Sequence, residues 1–410
     1  MFIRLYLATC FTLTAYFSDA QGVWCNAMDV RNPDQDKYGE FLKNVHEHQV
    51  HPSVRPRSET YYQVVVHIIT RMGSTPISKA QVIHQIDVLN NDFAGRGENI
   101  YKLEEEFKPL ITDTGIKFCL ATTDPDGALT DGIKFTETDT PDIALAAGKM
   151  GRIAIHYDEL GGQTGWDNTR YINIWVGEYR NFLGSASLPG MAPFDEETGI
   201  VIDPRSFGSL GDAATHTFYR GGHTLTHEMG HFFGLLHIFG TGDHNCTDGD
   251  EVEDTPNQLE AYFGCPKGTQ ISCDVSNMYQ NFMDLTDDRC LAAFTAGQSA
   301  RMQATIDAFY PDLGNAGPCH DIIQPFEKWY DELIWANDNS SDQYVVYHPD
   351  GFAGIINVDV FSVDGRLLIQ DTWEDTQTYL LNLNGYASGV YFVRISDGEH
   401  EKVRKVVTYR

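Results

Sequence analysis

Basic residues are scarce in this chain. Its 410 residues carry 29 Lys plus Arg against 58 Asp plus Glu, a formal net charge of -29. Such a balance repels phosphate backbones and anionic lipid surfaces, so neither nucleic acid nor an acidic membrane is an expected partner. Long apolar runs are equally rare. Leu5 to Phe17 is largely apolar behind Arg4, is too short to span a bilayer comfortably, and is followed by the small residues of Ser18-Asp19-Ala20. That pattern reads as a signal peptide over residues 1–20, and no other segment reads as a transmembrane span. The mature chain is therefore expected outside the cell, in solution or at the surface. Cys10 leaves with the signal, and seven cysteines remain: Cys25, Cys119, Cys246, Cys265, Cys273, Cys290 and Cys319. In an oxidising compartment most of them pair, and the odd number leaves one over.

Residues 21–57 are polar, scattered with His46, His48 and His51, and end in Arg55-Pro56-Arg57. They read as a propeptide outside any core, with a basic cleavage site. The β-branched run Tyr61 to Thr70 then predicts a buried strand, and Ser78 caps a helix bearing Val82, Ile86, Leu89 and Phe93 on one face. Further strands are expected at Ile116 to Ala121, Tyr171 to Val176 and Gly199 to Ile202, with a short edge strand at Ser185 to Leu188. Helices are expected at Arg220 to Gly234, at Phe294 to Phe309 and over 322–337. The order implies a mixed α/β layer beneath a cleft. Beyond the polar stretch Asn337 to Asp342, short alternating strands separated by Asp364-Gly365 and Asp397-Gly398 predict a small all-β module.

One motif stands apart. His227-Glu228-Met229-Gly230-His231-Phe232-Phe233-Gly234-Leu235-Leu236-His237 reads H-E-x-x-H-x-x-G-x-x-H. On a helix, His227 and His231 leave the same face, each able to hold one Zn²⁺ at about 2.0–2.1 Å. Gly234 can adopt a left-handed conformation that ends the helix and returns His237 as a third ligand. Three protein ligands leave a position for water, the arrangement of a catalytic site, and Glu228 is placed to take that water's proton. His223 is excluded from the ligand set, because it lies about 12 Å along the axis from His231; it is expected to cap or pack. Downstream, the acidic, turn-rich stretch Gly242 to Pro256 offers oxygen ligands of the kind Ca²⁺ prefers, without an EF-hand spacing.

The long zinc motif is the metzincin signature. Asn281-Phe282-Met283-Asp284, Asp287-Asp288-Arg289-Cys290 and Phe294-Thr295, together with Gly249 to Val252, Asp254-Thr255-Pro256 and Thr123 to Gly127, resemble the pappalysin family across residues 58–320. The resemblance implies an α+β fold: an α/β metzincin catalytic domain, with a twisted mixed sheet, a zinc helix and a Met-turn at Met283. It implies zinc ligands His227, His231 and His237 and general base Glu228. It further implies interleaved disulfides Cys246–Cys273 and Cys265–Cys290, and calcium ligands near Asp250, Asp254 and Thr255. Asp288 matches a carboxylate at the base of the pocket for the residue after the scissile bond, which would favour Arg or Lys there. Bacterial members hold latency through a propeptide cysteine, for which Cys25 is the candidate. A Cys119–Cys319 bridge would then complete the pairing, with Cys25–Cys119 as the alternative.

Two features depart from these patterns. The family's Tyr two residues after the Met-turn methionine is Leu285 here, which cannot donate a hydrogen bond to an oxyanion. The Cys-Gly expected at the latency cysteine is Cys25-Asn26. Residues 342–410, after a linker over 321–341, resemble the type IX secretion sorting domain, through Gly389 to Arg394 and Lys405-Val406-Val407. The expected function is a secreted zinc endopeptidase acting on proteins or peptides and exported by outer-membrane secretion machinery. The alternative is a catalytically weak, metal-bound surface adhesin or binding module.

Overall fold

A computed structural model describes residues 35–50, 60–209, 213, 218–240, 245–247, 249–315, 334–337, 343–347, 355–374, 378–396 and 401–408. The expected signal peptide, the Arg57 cleavage site, Cys25 and Cys319 lie outside the described residues. The catalytic part is an α+β unit built on one long strand. β1 (Thr60–Arg71) has eight consecutive buried residues, as an apolar strand covered on both faces must. Its length lets one edge serve two partners. Thr60 to Val64 pairs with β2 (Ile116–Leu120), and Val66 to Arg71 pairs with β3 (Ile133–Thr138). The other edge leads to β4 (Ile172–Val176), β6 (Ile200–Ile202) and finally β5 (Gly184–Ala186). Every pairing is parallel except the last, so the sheet ends on a short antiparallel strand.

Two helices pack beneath the sheet. α2 (Lys79–Phe93) starts at Ser78, whose side chain accepts from Gln81 N, and buries Val82, Ile86, Leu89 and Phe93. α3 (His223–Phe232) is buried along its whole length. Both share one core with β1, β4 and β6. A two-residue ribbon, β7 (Ile271–Ser272) with β8 (Val275–Ser276), interrupts the loops that follow. α4 (Ala296–Phe309) begins in a capping box between Thr295 and Gln298, two residues later than Phe294, which belongs to the core instead.

The polar segment 21–57 does contribute to a core. α1 (Gln35–Val50) buries Phe41 and Val45, one turn apart, against Ala304 of α4. The Arg301 guanidinium lies 5.8 Å from the centre of the Phe41 ring. Two apolar residues at helical spacing suffice there, although the composition around them is polar.

The C-terminal module contains two sheets around a shared core of Val346, Val358, Val360, Trp373, Val393 and Ile395. One has the order β13 (Thr378–Asn382), β10 (Gln343–Tyr347), β9 (Ile334–Asn337). The other runs β12 (Leu367–Glu374), β11 (Ile355–Ser362), β14 (Gly389–Ser396), β15 (Glu401–Thr408). β9 corrects two expectations: residues 334–337 are neither helix nor linker, because they pair antiparallel with β10 and belong to the β-module.

Behind the sheet, Trp175 is sandwiched by imidazoles. His67 stacks on it at 5.2 Å and His156 meets it edge-on at 4.3 Å. Burial pushes His67 down to about 4 and His156 down to about 3. Folded imidazoles thus stay neutral where unfolded ones, near 6.5, take up protons. Stability is therefore full above pH 6.5 and is lost on acidification toward pH 4, by about 1.4 kcal/mol per pH unit for each such His. A thermal melt series from pH 7.5 to 4.5 should show Tm falling below pH 6.5, with the fall reduced in His156→Gln.

Candidate active site

α3 presents His227 and His231 one turn apart, and the chain must then reverse. Gly234 does this at φ +84°, and a Cβ there would sit 2.5 Å from Thr305 Oγ1. Leu235 N donates to Gly230 O, closing the helix end, and His237 returns. The three Nε2 atoms then stand 3.2, 3.1 and 3.1 Å apart. Tetrahedral ligands at about 2.05 Å from one ion would be separated by about 3.3 Å, so the triangle fits a Zn²⁺. The outer ring nitrogens support the same reading. His227 Nδ1 lies 2.6 Å from Phe282 O, and His231 Nδ1 lies 2.8 Å from Leu235 O. A carbonyl only accepts, so each Nδ1 carries the proton and each Nε2 keeps its lone pair for the metal. Burial pushes His227 down to about 4 and holds His231 and His237 well below the usual range, which keeps all three neutral near pH 7. Among the described residues this is the one group of three or more His, Cys, Asp or Glu side chains close enough to share an ion.

Met283 lies under this triangle, fully buried. Its sulfur is so close to α3 that a Cβ on Gly230 would meet it at 2.5 Å, which explains glycine between the two helical histidines. Ile238 N donates to Met283 O, tying the turn to the segment after His237. Glu228 is buried on the opposite side, toward β5. A Cβ on Gly184 would lie 2.8 Å from its Cγ and 2.9 Å from Oε1, so the edge strand reaches the carboxylate only because residue 184 is glycine.

Glu228 and His227 open into a pocket walled by Leu183, Thr224, Asp284, Leu285, Thr286, Asp288 and Leu291. Asp288 is a buried carboxylate of this lining. Its Oδ2 accepts from Gly221 N at 2.8 Å and from His223 N at 3.4 Å, and burial pushes its carboxyl up to about 7. Leu285 contributes an apolar wall and no hydroxyl. His223 is deeply buried 3.6 Å from Asp92, and Thr226 donates to the same Asp92 oxygen at 2.6 Å. Gly184 begins the segment Gly184 to Leu188 expected to form the substrate rim, whereas Asp92 is a site-building residue with no part in any motif. For Asp92 the signal was a lone carboxylate beside Phe93 on the apolar face of α2.

Two crosslinks frame the pocket segment: Cys246–Cys273 and Cys265–Cys290 are bonded, and they interleave. Cys119 is also disulfide-bonded, to a partner outside the described residues. The acidic loop is brought together only in part. Thr255 Oγ1 donates to Asp250 Oδ1 at 2.6 Å. Asp254 is turned away to the start of α4, accepting from Thr295 Oγ1 and Gly297 N.

Comparison with known proteins gives a consistent picture. The family profile described as pregnancy-associated plasma protein-A matches residues 157–307, and that of a secretion system C-terminal sorting domain matches 341–409. An extracellular metalloprotease of Arthroderma gypseum is 31% identical over 247 residues, 58% of this chain and 69% of its own length. A mutant of Tannerella forsythia promirolysin superposes with a TM-score of 0.63 at 30% identity, over 72% of this chain and all of that one. Mature mirolysin of the same organism, in complex with a cleaved peptide, superposes at 0.58 and 33% identity, over 64% of this chain and all of that one.

Proposed function

This chain belongs to the pappalysin family of zinc metalloendopeptidases, and from that premise we propose how its own residues carry out secreted proteolysis. The observation that carries the reading is the triangle of Nε2 atoms beside Glu228 and the glycine edge strand. His227, His231 and His237 would hold the metal, which supplies a Lewis acid for the scissile carbonyl and acidifies a water. Glu228 takes the proton of that water and delivers it to the departing amide nitrogen. β5 gives the substrate backbone a strand to pair with, extended across the cleft. Leu285 offers no donor to the developing oxyanion, so the reaction goes without that contribution.

Specificity follows from Asp288. A buried carboxylate in the wall of the pocket beside Glu228 favours Arg or Lys just after the scissile bond, by a charge-assisted hydrogen bond in a largely buried site. Because its carboxyl is pushed up to about 7, it is mostly neutral at pH 6 and mostly ionised at pH 8. The kcat/KM ratio for Arg over Gln at that position should rise toward about tenfold across this range, following the free enzyme's titration. Asp288→Asn should flatten the profile; an unchanged pH dependence would discard the assignment.

Residues 21–57 are read as a pro-segment, with Cys25 as the latency thiol. Residues 342–410 direct type IX export. Ca²⁺ would sit at the acidic loop, where Asp250 is buried, has one oxygen without a hydrogen-bond partner, and is pushed up to about 6. The deciding experiment is cleavage-site profiling on a peptide library, using the form that begins at Ser58, with and without a zinc chelator. Chelator-sensitive cuts before Arg or Lys support the reading. A folded, zinc-loaded protein that cuts nothing would favour the binding-module alternative.

A further inference from the structure

Outside the cleft, a pocket of about 350 Å³ lies at the C-terminal ends of β1, β4 and β6. Ile69, Ile77 and Val176 form an apolar floor, and Arg71, Arg180 and Arg205 stand around it. Three guanidiniums at one concavity are conspicuous in a chain of net charge -29. Three carboxylates stand beside them, but the fold already uses those. Asp203 accepts from Tyr179 N at 2.9 Å, Arg205 N at 2.9 Å and Arg205 Nε at 2.7 Å. Glu178 accepts from Asp142 N at 3.1 Å and faces Arg71 at 3.5 Å. Asp142 meets Arg180 Nε at 3.2 Å. Each guanidinium is thus engaged through one nitrogen, while its side chain stays about half exposed, at 45%, 68% and 51%. The rest of each donor fork is left for a further acceptor of carboxylate geometry.

A hydrogen bond ties the wall of this pocket to the wall of the cleft. Leu183 walls the pocket beside Glu228 and Asp288, and its carbonyl accepts from Asp203 N at 2.8 Å and Ser206 Oγ at 2.9 Å. A peptide pairing antiparallel to β5 runs toward the N-terminal end of that strand, Gly184, which Leu183 precedes. Its next residues are then directed toward the 178–180 segment that lines the pocket. Three or four extended residues cover about 10–13 Å. We propose that this pocket is a second substrate subsite, binding an acidic side chain a few residues downstream of the scissile bond. The inference rests on the protease reading for the direction of the peptide. The carboxylate meets the free guanidinium donors while its aliphatic stem lies on Ile69 and Ile77.

The test uses two labelled peptides, identical except for Glu or Gln at the third to fifth positions after an Arg that follows the scissile bond. Binding is measured by fluorescence anisotropy on Glu228→Gln protein in the form that begins at Ser58, which needs no turnover, and cleavage is measured on the same form with Glu228 intact. The Glu peptide should bind about fivefold to tenfold more tightly. Arg71→Gln/Arg180→Gln should erase that difference and leave the Gln peptide's binding and cleavage unchanged. Equal binding of both peptides, or a preference that survives the double substitution, overturns the subsite. A peptide ending at those positions with a free carboxylate or an amide separates side-chain from C-terminal recognition; a preference seen only with the free terminus overturns the proposal as stated. Cleavage of the Gln peptide reports on the protease reading independently, since it requires only the cleft.

Discussion

Glu228→Gln is expected to lower kcat/KM by about 10²–10⁴-fold, the range typical of a positioned proton carrier. Gln keeps the volume that presses against Gly184, where a Cβ would already come within 2.8 Å of the Glu228 Cγ. The three imidazoles are untouched, so bound zinc should stay at one per chain by elemental analysis and Tm should not fall. Loss of activity with zinc retained separates proton transfer from metal binding. Activity within tenfold of the parent would remove Glu228 from the role of base. Gly184→Ala is the companion substitution: it leaves every titratable group in place but drives a methyl into the carboxylate.

The crosslinks carry the second large effect. Cys246–Cys273 and Cys265–Cys290 close sequence separations of 27 and 25 residues. Constraining loops of that size in the unfolded chain contributes about 3–4 kcal/mol each. Cys265→Ser/Cys290→Ser should therefore lower Tm by about 10 °C for a domain of this size. The functional cost should be concentrated in KM, because Cys290 N donates to Asp287 O beside Asp288 and the bond anchors that pocket wall. Calorimetry together with the KM-against-kcat split checks this. A Tm change under 3 °C would mean that packing alone holds the segment.

The zinc helix, its glycine stop and the ends of the central strands were legible because each depends on local spacing. His227 and His231 share a helical face wherever the helix lies, and Gly234 is read from its own conformational freedom. Elements that depend on distant partners were not legible. β3 carries a half-exposed Phe135 and only weak alternation, and it is a strand because the far half of β1 had an open edge. α1 was hidden by polar composition, since its helix is defined by what α4 offers to Phe41 and Val45. β9 was hidden in the same way by its dependence on β10. Asp92 and the three pocket arginines come from separate segments and find their partners only in the folded chain. The expected Asp250, Asp254 and Thr255 set divides because the N-terminus of α4 competes for Asp254.

The interleaved bridges also decide where the cell can possess this enzyme. Thiols stay reduced in the cytoplasm, so there the segment from Cys246 to Cys290, which carries Met283 and Asp288, lacks both of its fasteners. The nascent chain thus meets its own cytoplasm with this pocket wall unsecured, and the two bonds form only in an oxidising compartment. Geography acts as a safeguard for the producing cell, separate from any pro-segment, and it is written into two sulfur–sulfur bonds.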